Sequence, residues 1–177
     1  MDILSRLQKG QSKPNTTAIV KEVGSDAKKY ALLVKLTAGN DARISQCAAW
    51  PLGDAGVLHP ELAQTHLKQF ISLLQDKNRH PAVHRNILRI LERVDIPEPQ
   101  QAVLLDLCFG FIRNQSLPEA IRAFAITVAT NICKPYPELA TELILLIKEL
   151  LTLEQKPAVM VRIKRALKEL RSADSKL

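Results

Sequence analysis

A proline-led apolar segment recurs along the second half of the chain, and that recurrence constrains the fold more than any other feature. The copies read Pro81-Ala-Val-His-Arg-Asn-Ile-Leu-Arg-Ile-Leu, Pro118-Glu-Ala-Ile-Arg-Ala-Phe-Ala-Ile-Thr-Val and Pro157-Ala-Val-Met-Val-Arg-Ile-Lys-Arg-Ala-Leu, offset by 37 and 39 residues. Apolar positions stay in register: Val83 with Ala120 and Val159, Ile87 with Phe124 and Ile163, Leu91 with Val128 and Leu167. A weaker copy, Asp41-Ala-Arg-Ile-Ser-Gln-Cys-Ala-Ala, lies about 40 residues earlier. A period of this length describes a supersecondary unit that cannot bury its apolar face alone and must stack on its neighbours.

The units are helical. Gly numbers only 6, too few for the turns of an all-β fold. Pro60, Pro81, Pro118 and Pro157 sit where a helix starts, at the first helical position, where the missing N–H costs nothing. Apolar stripes at helical spacing predict helices over about Pro60–Gln75 (Ala63, Leu67, Phe70, Ile71, Leu74) and Pro81–Val94 (Val83, Ile87, Ile90, Leu91, Val94). Further helices follow over Pro99–Arg113, Pro118–Cys133, Pro137 to about Leu153, and Pro157–Arg171. The Pro99–Arg113 segment is apolar on most of its circumference. Upstream, short helices are expected over Met1–Lys9 and Thr16–Val23, joined by a flexible Gly10–Asn15 connector. Ser25 can cap a helix to about Ala38, and Asp41 one over Ala42–Trp50. Pro51–Leu58, with two glycines, reads as a loop, and the last six residues as a fraying polar tail.

The turn, then Val or Ile near an Arg, then an Ala/Leu-rich second helix resembles the HEAT-repeat family, with Arg85 and Arg122 carrying the match. The resemblance covers roughly Ser25 to Arg171 as four two-helix units. It implies a single domain over 1–177: an all-α, right-handed α-solenoid of about four helical hairpins, with residues 1–24 as an N-terminal capping segment and 172–177 as a tail. It also implies that the second helices line a concave side that engages extended partners, mostly proteins.

The formal charge of +7 is uneven. Lys77–Arg93 holds five basic residues and one acid, Asp95–Gln155 four and eight, and Lys156–Leu177 seven and two. A uniform nucleic-acid coat would not carry an acidic stretch between two basic ones. Arg85, Arg89 and Arg93 follow an i, i+4, i+8 spacing that aligns them on one helix face. With Arg122, Arg162 and Arg165, and with Lys164 and Lys168 beside them, they form the candidate partner-binding set. Ala123 and Ile126 are the expected apolar floor beside it. The plainer alternative is a solvated face, with Glu92 partly pairing Arg89 and with Arg85 and Arg122 joining neighbouring units.

Catalytic signatures are absent: there is no Gly-rich phosphate loop, no Gly-x-Ser-x-Gly elbow and no His-Glu-x-x-His. His80 and His84 are four apart, but His80 falls in a turn and no third metal ligand is near, while His59 and His66 lie on another helix. Cys47, Cys108 and Cys133 are odd in number and widely spaced, as reduced, buried thiols are. The most apolar helix carries too many charges to span a membrane, and the opening Met1-Asp-Ile-Leu-Ser-Arg has no signal-peptide pattern. These features point to a cytoplasmic location and to no metal or cofactor. Trp50 reads as packing, with base stacking as the alternative.

The expected function is a non-enzymatic binding or scaffolding module for a protein partner, acidic if the arginines hold it. A nucleic-acid binder is the alternative. The HEAT-like glycosylases that remove alkylated bases are similar in fold type, but their catalytic Asp and groove aromatics have no counterpart here. A small-ligand HEAT protein with an enclosed pocket is a third and weaker reading.

Overall fold

A computed structural model of the chain describes residues 2–153 and 155–174, apart from the side chains of 172–174. All regular structure among the described residues is α-helical, and the chain divides into two compact units, Met1–Asp95 and Ile96–Leu177. The polar tail expected over 172–177 lies outside the described side chains; the backbone of the last helix runs to Asp174.

The first unit comprises α1 (Ile3–Gln8), α2 (Lys13–Val23), α3 (Ala27–Ala38), α4 (Ala42–Leu58), α5 (Pro60–Gln64), α6 (Leu67–Gln75) and α7 (Pro81–Leu91). Its hairpins are α3–α4 and α6–α7, and α4 packs along both α3 and α7. Helix starts follow capping chemistry. The carboxylates of Asp2, Asp26 and Asp41 accept from Ser5, Lys28 and Ile44 N–H, and the Ser12 hydroxyl from Asn15 N–H. The cap of α3 is thus Asp26, one residue beyond Ser25, and α2 begins inside the expected connector.

Two expectations fail here. Residues 51–58 are the second half of α4, with Pro51, Gly53 and Gly56 buried inside it. The glycines are there for closeness. A Cβ on Gly53 would lie 2.6 Å from Asn86 Oδ1, and one on Gly56 would lie 2.5 Å from the Tyr30 hydroxyl and 3.0 Å from Ile90 Cγ1. Backbone therefore packs against α7 and α3 where side chains usually would. The packing of α4 outweighs the helix penalty of roughly 1 kcal/mol per Gly and about 3 for Pro. The expected Pro60–Gln75 helix, in turn, breaks at Thr65–His66. The Thr65 hydroxyl donates back to Leu62 O at 2.9 Å, an alternative to continued helix. The His66 ring then packs between Tyr30 and Phe70.

The second unit comprises α8 (Glu98–Arg113), α9 (Glu119–Cys133), α10 (Pro137–Leu150) and α11 (Pro157–Asp174). Its hairpins are α8–α9 and α10–α11; α9 is central and packs on all three of the others. Boundaries follow proline closely: Pro137 and Pro157 open α10 and α11, and Pro118 is the residue before α9. The core is aliphatic, with Leu104, Ile112, Ile121, Val128, Leu143, Ile147, Val159 and Ile163 buried. Each such side chain contributes about 1.5–3 kcal/mol by leaving water.

Candidate partner-binding surfaces

The helical spacing of Arg85, Arg89 and Arg93 is not matched by a shared helical face. Helix α7 ends at Leu91, and Arg93 lies in the turn beyond it, where its own N–H donates to Ile90 O. Arg93 is exposed, and Arg85 is half-buried. Arg89 is held inward by Asp54 of α4, with Nη1 2.7 Å from Oδ1. Both side chains of this ion pair are about a third exposed, so water screens it and it contributes at most about 1 kcal/mol.

Around α7 the polar groups work on helix ends. His80 Nδ1 accepts from Ala82 N–H and caps α7. His84 is buried, with Nε2 3.2 Å from Leu73 O in the last turn of α6 and 3.1 Å from the O of its C-cap Asp76. Two carbonyl acceptors fix the proton on Nε2. Burial, the largest influence, holds the His84 pKa below the usual histidine value against the opposing pull of those two hydrogen bonds. Burial lowers His66 likewise. Arg79, anchored by Asp76 at 2.9 Å, donates to Ala38 O at 3.0 Å and to Gly39 O at 2.6 Å. A guanidinium from the α6–α7 turn thereby closes the C-terminus of α3, satisfying carbonyls that the helix cannot.

In the second unit Arg122 is 4% exposed. It donates from Nε to Ile112 O at 3.3 Å and from Nη2 to Gln155 Oε1 at 2.9 Å. Burial lowers its pKa. Arg122 therefore ties the end of α8 to the α10–α11 turn and is not available to a partner. Ala123 and Ile126 are buried in the helical core and floor no open groove. Arg162 bonds Thr127 Oγ1 at 2.8 Å and lies 5.5 Å over the Phe124 ring. Arg165, Lys164 and Lys168 are exposed on α11.

The second unit also carries a groove of about 380 Å³ between α8 and α10, closed at its base by Ile132 of α9. Glu98, Gln101, Ala102, Leu105, Asp106 and Phe109 form its α8 wall, and Tyr136, Leu139 and Glu142 the wall opposite. Leu105, Phe109 and Ile132 are buried at its floor, while Glu98, Asp106 and Glu142 are exposed at its rim. No ion pair involves these three carboxylates among the described residues. Sequence reasoning missed this groove, although the unusually wide apolar circumference of α8 was its signal.

The three thiols are buried and unpaired, and burial raises the pKa of Cys108 and pushes that of Cys133 up to about 12. Among the described residues no three His, Cys, Asp or Glu side chains gather as a metal site, and no helix is long and apolar enough to cross a membrane. Trp50 lies half-buried within α4, not at a helix end. A family model described as a HEAT repeat domain matches residues 3–170. No curated protein matches the chain.

Proposed function

The chain belongs to the HEAT-repeat family, and on that premise we propose that it is a non-enzymatic binding module in a reducing cytoplasm, engaging an acidic segment of a partner protein. The observation that carries this reading is how the six arginines divide. Arg89, Arg122 and Arg162 are held by internal partners. Arg93 and Arg165 are exposed, and Arg85 is half-buried with no ion pair among the described residues. The outward cations, Arg85 and Arg93 in the first unit and Lys164 and Arg165 in the second, are the residues that would meet an acidic segment. The alternative, nucleic-acid binding, draws on the same cations and is separated from it by salt dependence.

The test uses Arg93→Glu and Arg165→Glu, exposed positions where charge reversal leaves the packing intact. Fluorescence anisotropy with a labelled oligo-glutamate peptide should show binding that each reversal weakens about tenfold. Short single- and double-stranded DNA and RNA are titrated in parallel at low and near-physiological salt. Tight, salt-steep nucleic-acid binding lost in the same variants would transfer the function to nucleic acid. Failure of both probes at low salt would remove the basic residues from any binding role.

A further inference from the structure

We propose that the groove between α8 and α10 is a second docking site, of opposite charge preference, for a partner segment that carries lysine or arginine on either side of a large aliphatic side chain. The occupant follows from two properties of the groove. Its floor of Leu105, Phe109 and Ile132 is apolar, and its volume of about 380 Å³ accepts one or two large side chains, near the lower bound of about 300 Å³ for ligand pockets. Its rim holds Glu98, Asp106 and Glu142, three exposed carboxylates without an ion pair among the described residues.

The α8 wall is a single helical face. Glu98, Gln101, Ala102, Leu105, Asp106 and Phe109 recur at i, i+3, i+4, i+7, i+8 and i+11, so two carboxylates eight residues apart share one face with the apolar Ala102, Leu105 and Phe109. A bound segment would meet a carboxylate about every second turn, with the apolar socket between and beside them. Across the groove Tyr136 is 37% exposed and offers a ring face that a cation can cover. Arg113 lies 5.6 Å over the Phe109 ring, placing a cation beyond the C-terminal end of this wall. Gln101 is already engaged, donating to Ile96 O at 2.8 Å, so specificity rests on the carboxylates and the socket. An anionic or purely polar segment would leave the floor wet and the carboxylates repelling one another.

The site is independent of the outward cations proposed above, because it selects the opposite charge and uses none of the same residues. The experiment titrates the isotopically labelled full chain with three synthetic helical peptides followed by amide chemical shifts. One has two leucines four residues apart flanked by lysines; the second has glutamates in place of the lysines; the third has serines in place of the leucines. The lysine–leucine peptide is expected to bind with shifts concentrated at Ala102, Phe109, Tyr136 and Leu139, and the other two to bind at least about tenfold more weakly. Asp106→Lys with Glu142→Lys, both at exposed positions, should cost about tenfold or more, and Tyr136→Ala a few-fold. The proposal is overturned if shifts fall elsewhere, if the glutamate peptide binds equally, if the double reversal changes nothing, or if no peptide binds at millimolar concentration. Sedimentation that reveals self-association abolished by the same reversals would assign the groove to a second copy of the chain and overturn it also.

Discussion

The two units solve the same packing problem by different means. In the first, the second helices α4 and α7 approach through glycine: Gly53 and Gly56 admit Asn86, Ile90 and the Tyr30 hydroxyl at distances no Cβ would allow. In the second, α9 is built from alanine and β-branched residues, its one glycine-bearing neighbour α8 places Gly110 where a Cβ would meet nothing, and polar side chains make the joints. Each unit also closes the end of a first helix with a cation or a ring. His84 serves α6, and Arg122 serves α8, from neighbouring positions in the repeat. Backbone-close packing makes the first unit sensitive to volume, whereas the second should be sensitive to the loss of particular hydrogen bonds.

That contrast can be broken most sharply at glycine. Gly56→Leu should destabilise the first unit by about 3 kcal/mol or more, since the new side chain must displace Tyr30 and Ile90. Chemical denaturation with hydrogen exchange resolved by unit would show it, and a near-neutral result would deny that α4 packs as closely as described. Arg122→Ala is next, at about 2–3 kcal/mol, because it leaves Ile112 O and Gln155 without their buried donor. Its loss of protection should centre on the end of α8 and the α10–α11 turn.

Smaller effects sharpen the same comparison. All four histidines lie in the first unit, and His66 and His84 have lowered pKa values. Their neutral forms are the ones the fold accommodates, so stability is full above the unfolded histidine value of about 6.5 and declines as pH falls through it toward the folded values. Protection of first-unit amides should therefore decrease between about pH 7 and pH 5, with His84→Gln flattening the slope, while amides of the second unit stay insensitive over that range. Gly110→Ala should raise stability by roughly 0.5–1 kcal/mol, read as a higher melting temperature. A loss there would mean that α8 is covered at Gly110.

The second unit was far more legible from the sequence than the first, for the same physical reason. Proline at a helix start and a Leu/Ile/Val stripe are local signals, and α9, α10 and α11 obey them. Residues 51–58 defeated local reading because Pro51, Gly53 and Gly56 carry loop propensities that tertiary contact with α3 and α7 overrides. The break at Thr65–His66 was hidden by an unbroken apolar stripe. For the arginines, spacing gave the side of the helix but not its end, so Arg93 was placed on α7 when it lies beyond it. Nothing in the sequence separates the buried Arg122 from the exposed Arg165, because the partners that decide the matter, Ile112 O and Gln155, are brought near only by the fold.

The burial of the three thiols supplies the molecule with its own clocks. Cys47 lies in the first unit and Cys108 and Cys133 in the second, all enclosed in helix packing. A thiol reagent can modify each only when the surrounding helices part, so in the native state the rate of modification measures how often that neighbourhood opens. One modification time course, with the sites separated by mass after digestion, therefore yields an opening free energy for each unit in the same tube. Equal rates across the three positions would mark a single cooperative molecule, and a faster Cys47 would mark the glycine-packed unit as the one that opens first.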